Sequence, residues 1–278
     1  MSVETAARPE HAVEAPTRPR RRPRGWVLPV YAGLVIVFLF LPIVVMIVFG
    51  FNDIQGRFNF TWQGFTLRWY RELFVIPELS AAIKNSLVVA AVATILSTAL
   101  GTLMALALTR YRYRGRGATN LFVFLPLATP EVVLGASVLS LFVTLGTQRG
   151  LATIVLSHVM FNISYVVVTV KARTHDFNRE WDEAAQDLGA TPWVAFWRVT
   201  FPLIFPGVMA AAALAFALSV DDYVITSFAS GQVTTFPIWV FGSVQRGVPP
   251  QVNVMGTIIF GTGLLLALLN VLLQRRRS

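Results

Sequence analysis

Cysteine is missing from all 278 residues, which excludes disulfides, thiolate metal sites and cysteine nucleophiles. Also missing is any G-x-x-x-x-G-K-[ST] run, the loop whose backbone amides cradle nucleotide phosphates, so ATP must be bound on another subunit if it powers this chain. Charge is scarce: 13% of residues are charged while 55% are hydrophobic, and mean hydropathy is +0.63. Water-soluble domains carry about 25% charged residues, so the solvent implied here is a lipid bilayer. His158 has no second histidine at i+3 or i+4, so zinc is not indicated. The long apolar runs, such as Ile258 to Leu273, lack strand-like alternation, which argues against a membrane β-barrel.

What is present is a set of apolar windows, roughly residues 27–50, 85–109, 119–143, 151–170, 206–228 and 253–273, each close to the ~20 residues a helix needs to cross the hydrocarbon core. The expected fold is an all-α membrane protein with six transmembrane helices. Basic residues set its orientation. Placing the N-terminus in the cytoplasm puts 17 of the 23 Lys and Arg residues inside, in the tail Arg8 to Arg24, in the loops Arg110 to Arg116 and Lys171 to Arg198, and at Arg275 to Arg277. Arg57, Arg68, Arg71, Lys84, Arg149 and Arg246 remain outside, so the positive-inside bias predicts that both termini are cytoplasmic. Topology and anionic lipid headgroups account for the net charge of +9, and no nucleic-acid partner is called for. Residues 1–25, rich in Arg and Pro, bury too little apolar surface to offset their ordering entropy and are expected to form a disordered cytoplasmic tail ahead of a membrane domain over 26–278. The run from Trp26 is too long for a cleaved signal peptide and is expected to stay as the first span.

The charged loop 171–205 carries the strongest local signals. Asn178 is a suitable N-cap, Glu180, Asp182 and Glu183 place anions where a helix dipole favours them, and Gly189 is a natural stop, so the spacing predicts a helix over about 179–188. Trp181, Ala184, Ala185 and Leu188 fall at i, i+3, i+4 and i+7, forming one apolar face whose small alanines permit close approach of another surface. Thr191-Pro192 reads as the N-cap and first residue of a second helix carrying Trp193, Phe196 and Trp197. The expected result is a helix-turn-helix elbow at the cytoplasmic surface. The plainer alternative, an amphipathic helix resting on lipid, is disfavoured by the acidic first turn, which anionic headgroups repel.

Glu183-Ala184-Ala185 with Gly189 six residues after the glutamate, and Phe201-Pro202 further on, resembles the cytoplasmic loop signature of permease subunits of binding-protein-dependent ABC importers. The resemblance implies a coupling helix that sits in a cleft of an ATP-binding subunit, with Glu183, Ala184, Ala185, Leu188, Gly189 and Pro202 as the ATPase-coupling positions. That family usually has Leu before the proline, where this chain has Phe201. Pro130-Glu131-Val132-Val133, Asp187-Leu188-Gly189-Ala190, Ser219-Val220-Asp221-Asp222 and Gly247-Val248-Pro249-Pro250-Gln251-Val252-Asn253 resemble the spermidine/putrescine branch, and the likeness extends over roughly 27–273. It implies a type I ABC importer permease fold in a bacterial cytoplasmic membrane, carrying a solute such as putrescine or spermidine. The implied partners are ABC ATPase subunits, a second permease subunit and an extracytoplasmic solute-binding protein. No cofactor and no catalysis are expected on this chain.

Three carboxylates fall inside the expected spans: Glu131, Asp221 and Asp222. At depth a carboxylate is penalised by about 2.5–3.5 kcal/mol and usually faces a cavity. Counted along straight helices at ~1.5 Å per residue, all three lie ~20 Å above the inner surface, forming a negative ring for a cationic solute, with His158 at a similar height. Each has a plainer role. Glu131 follows Pro126 and Pro130 and can satisfy backbone donors that they free. Adjacent residues on a helix point about 100° apart, so one of Asp221 and Asp222 is expected to face the pathway and the other to pair with a neighbouring helix or subunit. His158 and Asn162 read as interhelical hydrogen-bond partners. An ion-coupled secondary carrier using the same carboxylates leaves the elbow unexplained, and an integral-membrane enzyme lacks a nucleophile or metal cluster.

Overall fold

The computed structural model describes residues 26–56, 58–174, 180–244 and 246–275, so the Arg/Pro-rich segment 1–25 and the expected cap Asn178 lie outside the described residues. The chain divides into two compact units, one up to Met46 and one from Ile47 onward. Helix α1 (Val27–Phe49) is a continuous apolar run with Pro42 inside it.

The second unit contains α2 (Arg68–Arg71), α3 (Pro77–Arg110), α4 (Arg116–Ala128), α5 (Glu131–Thr144), α6 (Leu151–Thr174), α7 (Glu180–Asp187) and α8 (Pro192–Ala195). A π-helical turn (Phe196–Thr200) then leads into α9 (Phe201–Asp221), followed by α10 (Val224–Ala229), α11 (Phe236–Ser243) and α12 (Pro250–Arg275). The architecture is all-helical, and the β-structure among the described residues is an isolated bridge between Asn52 and Phe65. Among the described residues, four helical stretches are long and apolar enough to cross a membrane, and α4 with α5 makes a fifth if that bent pair counts as one span.

Helices α3, α6 and α9 pack mutually and form the core of this unit. Lipid tails are as apolar as leucine, so helices in a bilayer associate by close dispersion contact, which small residues permit. Ala93, Ser97, Gly101 and Ala105 recur every fourth residue on α3, and Gly207, Ala211, Ala215 and Ser219 do the same on α9; all are buried. A Cβ on Gly101 would lie 2.6 Å from Val166 Cγ1 and 3.3 Å from the Ile163 carbonyl oxygen, and one on Gly207 would lie 2.8 Å from Arg173 Cβ. Gly101→Leu is therefore expected to destabilise the bundle by about 1–3 kcal/mol or more through overpacking. Thermal unfolding in detergent checks this against Gly261→Leu, a control with nothing within 4 Å. Equal melting temperatures for the two variants would contradict the close α3/α6 contact.

Two expected spans are not straight. The window 119–143 is broken, with α4 and α5 meeting at 109°. Pro130 has no N–H to continue α4 and disfavours the helical region for its predecessor, and Thr129 is accordingly extended (φ −91°, ψ 133°). Glu131 thus opens α5, and the ~20 Å height obtained by counting along one straight helix does not apply to it. The window 206–228 also divides: α9 ends at Asp221, Asp222 is extended (φ −63°, ψ 119°), and α10 starts at Val224. Helix α10 packs on α5, where a Cβ on Gly135 would lie 2.3 Å from Phe228 Cδ2.

The segment before α3 folds around the fully buried Asn52. Its amide donates to Asn59 Oδ1 and to the Thr61 carbonyl, both at 2.7 Å, and its side-chain oxygen accepts from the Gln63 N–H at 2.7 Å. The Trp69 indole donates to the Asn52 carbonyl at 2.8 Å. The helix in this segment is a single turn, α2, Arg68–Arg71.

Candidate functional site

The elbow is built from local chemistry. Helix α7 stops at Gly189, whose φ of +90° is strained for any L side chain. The Gly189 N–H donates to the Gln186 carbonyl at 2.9 Å and the Ala190 N–H to the Ala185 carbonyl at 3.0 Å, the paired bonds of a Schellman cap. Thr191 then caps α8, its hydroxyl accepting from the Val194 N–H at 3.4 Å, with Pro192 in the first turn. The second helix does not end after its aromatic residues, because α8, the π turn and α9 form one uninterrupted run from Pro192 to Asp221. Pro202 explains the wide turn. Its ring displaces the Arg198 carbonyl and it supplies no N–H, and the Phe201 N–H reaches back to the Phe196 carbonyl instead. Trp193, Trp197, Phe201 and Phe205 meet edge-on or tilted along this run, with ring centroids 5.7, 4.9 and 5.6 Å apart.

The side chains of α7 are arranged in an unusual way. The stripe Trp181, Ala184, Leu188 is exposed, Leu188 at 90%, and Ala185 is half-buried. Glu183 is exposed as well. The buried side chain among residues 181–188 is Asp182, 8% exposed. Its Oδ1 accepts from the Thr200 hydroxyl at 2.6 Å and its Oδ2 from the Arg110 guanidinium at 2.5 Å, while Arg110 also donates to Thr200 Oγ1 at 2.7 Å. Sequence reasoning did not foresee this triangle. Arg110 counted only toward orientation and Asp182 only toward the helix dipole, and no local spacing links residues 72 and 90 positions apart.

At the other end of α9 lies a second polar cluster. Asp222 Oδ2 accepts from the Thr226 N–H at 2.7 Å and from the Thr226 hydroxyl at 2.6 Å, and Oδ1 accepts from the Ile225 N–H at 3.4 Å, so Asp222 caps α10. His158 of α6, 3% exposed, brings Nε2 to 2.9 Å from Thr226 Oγ1 and 3.3 Å from Asp222 Oδ2. The Thr226 proton points at Asp222, so Nε2 faces two acceptors and carries the imidazole hydrogen. One turn along α6, Asn162 donates to Ser219 Oγ at 2.7 Å and to the Ala215 carbonyl at 3.4 Å. His158 and Asn162 thus join α6 to α9 and α10.

Of the three candidate pathway carboxylates, the structure engages Asp222 internally and leaves Asp221 and Glu131 exposed. Among the described residues no hydrogen bond or ion pair joins Glu131 to either aspartate, and no group of three His, Asp or Glu side chains could hold a metal ion. A cavity of about 690 Å³ lies elsewhere, between the Asn52 segment and residues 246–251, lined by Asp53, Arg68, Trp69, Arg246 and Gln251. An apolar groove of about 550 Å³ runs between α3 and the aromatic ladder of the elbow, lined by Thr94, Thr98, Trp193 and Trp197.

Residues 97–277 match the family described as binding-protein-dependent transport system inner membrane component. The chain belongs to that family. It is accordingly a permease subunit, not an enzyme, and a multi-pass membrane protein. Within the family it is 40% identical over 232 residues to the putrescine transport system permease protein PotI of Escherichia coli (strain K12), covering 81% of this chain and 82% of that protein. It is 36% identical over 255 residues to the spermidine/putrescine transport system permease protein PotC of the same strain, covering 91% and 94%. Its fold matches a solved bacterial ABC transporter involved in the import of the acidic polysaccharide alginate, with a TM-score of 0.66, 17% identity, and coverage of 92% of this chain and 96% of that one. A similar match, with a TM-score of 0.57 and 16% identity, is to an amino acid ABC transporter, covering 76% and 99%.

Proposed function

We propose that this chain is a translocation-pathway subunit of an ATP-driven importer for a small cationic solute, a polyamine such as putrescine or spermidine. The reading is carried by the likeness to two polyamine permeases over more than four-fifths of the chain. In it, six spans cross a bacterial inner membrane with both termini cytoplasmic: α1, α3, the bent α4–α5 pair, α6, α9 and α12. The partners are ABC ATPase subunits, a second permease subunit and an extracytoplasmic solute-binding protein. A structural relative was solved in complex with a periplasmic protein that holds an alginate pentasaccharide, which supports a receptor-delivered solute.

The two clusters take complementary roles. The outer face of α7, with exposed Glu183, Ala184 and Leu188, half-buried Ala185 and the cap Gly189, is the docking surface for the ATPase, and Pro202 sets the turn that carries the elbow into α9. A chain with no phosphate loop needs such a surface to receive work by rigid-body motion. Asp221 is the pathway carboxylate best placed to meet a cation, because its side chain is exposed while that of Asp222 is used in capping α10. Glu131, at the start of α5, is the second.

Reconstitution with the ATPase, second permease and binding protein tests this reading. Uptake of radiolabelled putrescine is expected to stop on ATP depletion and to persist with a protonophore at fixed ATP. Protonophore-sensitive uptake without ATP would instead identify an ion-coupled carrier. Asp221→Asn is expected to raise the apparent KM for putrescine about tenfold, the equivalent of ~1.4 kcal/mol of lost attraction, with no change in melting temperature. An unchanged KM and rate would remove Asp221 from the pathway.

A further inference from the structure

Helix α7 is anchored in the reverse of the usual way. An amphipathic surface helix is normally held by its apolar stripe, facing inward. Here Trp181, Ala184 and Leu188 of that stripe face out, and the buried side chain is the carboxylate of Asp182. The contact that Asp182 makes with the bundle is directional and charge-assisted. Arg110 is the last residue of α3, the long helix at the centre of the core, and Thr200 is the last residue of the π turn and is fully buried. Both oxygens of Asp182 are engaged, and Arg110 and Thr200 are bonded to each other, so three elements meet in one closed triangle. Apolar packing tolerates sliding. A triangle of charge-assisted bonds holds one orientation.

We infer that Arg110, Asp182 and Thr200 are positioning residues that clamp the docking helix to α3 and to the root of α9, so that displacement of α7 is passed to both helices without loss. The inference rests on the reading of α7 as the ATPase docking surface. It assigns to Arg110, otherwise one of many inner-side basic residues, a specific mechanical task. The π turn that Pro202 imposes ends at Thr200, and the hydroxyl there reaches both partners.

The chain has no cysteine, so cysteines introduced at Gln186 and Leu103, both exposed, can carry spin labels on α7 and α3. The measurement uses the complex with cysteine-free ATPase and second permease in lipid nanodiscs, without nucleotide and with vanadate-trapped ADP. In the unsubstituted chain the label distance is expected to be narrowly distributed and the same in both states. Thr200→Val is nearly isosteric and suits a buried site, so it removes the hydroxyl without emptying space. It and Asp182→Asn are expected to broaden the distribution about twofold and to lower putrescine uptake per ATP hydrolysed about tenfold, while Thr200→Ser restores both values. A narrow, state-independent distance in both Thr200→Val and Asp182→Asn would overturn the clamp and leave the docking surface intact. Failure of the ATPase to co-purify with the unsubstituted chain would overturn the docking surface, and the clamp's task with it.

Discussion

Gly189→Pro is expected to abolish uptake while membrane insertion and the α3–α6–α9 core remain intact. Proline fixes φ near −65°, whereas the backbone at Gly189 stands at +90°, and proline also lacks the N–H that reaches the Gln186 carbonyl at 2.9 Å. Losing the cap geometry and a bond together costs about 3 kcal/mol or more. That converts to a reduction of about a hundredfold in the equilibrium constant for forming the capped elbow. A Cβ at position 189 meets nothing within 4 Å, so the damage arises from the backbone at the end of α7 and not from a clash with another element. Gly189→Ala should be milder, at about 1–2 kcal/mol for a non-glycine in the left-handed region. Uptake and ATP hydrolysis measured together in proteoliposomes decide the matter: hydrolysis that continues without transport is the expected signature, and wild-type uptake by the proline variant would show that the elbow is not the coupling element.

The second large effect concerns Asp222, and its expected sign separates structure from transport. Asp222→Ala leaves the Thr226 N–H and hydroxyl without their acceptor in a buried site and removes the carboxylate that faces His158 Nε2. Each buried donor left unsatisfied costs about 1–3 kcal/mol, so the variant should unfold at markedly lower temperature and reach the membrane in reduced amount. A double-mutant cycle with His158→Ala should show a coupling of about 0.5–3 kcal/mol, since the two residues act as one unit. Asp221→Asn should show none of this. If Asp222→Ala kept its melting temperature and only weakened putrescine uptake, Asp222 would belong to the pathway and not to the cap of α10.

How much of this was readable beforehand varied with the range of the interaction. The elbow was legible to within a residue or two, because Gly189, Thr191 and Pro192 act on their own backbone within a few positions. The apolar windows located the long helices but not their breaks, since hydropathy counts residues without regard to direction. Pro130 signals a break between α4 and α5, but the size of the bend, 109°, cannot be read from local sequence. The break at Asp222 carries no Gly or Pro. It exists because a carboxylate can cap the next helix while a histidine 64 residues earlier in the chain holds it in place. The Arg110 triangle was illegible for the same reason, its partners being brought together only by the fold.

One consequence of the unbroken run from the elbow into α9 concerns leverage. From Thr200 to the far tip the rod is roughly 32 Å long at ~1.5 Å per residue, and Asp221 stands on that tip. A swing of about 10° about the wide turn would sweep the tip through roughly 5 Å, about the thickness of an alkyl diamine. Such a crank needs no bending within the rod: in the proposed importer, a small push at the elbow would be enough to open or shut a narrow gap at the far end.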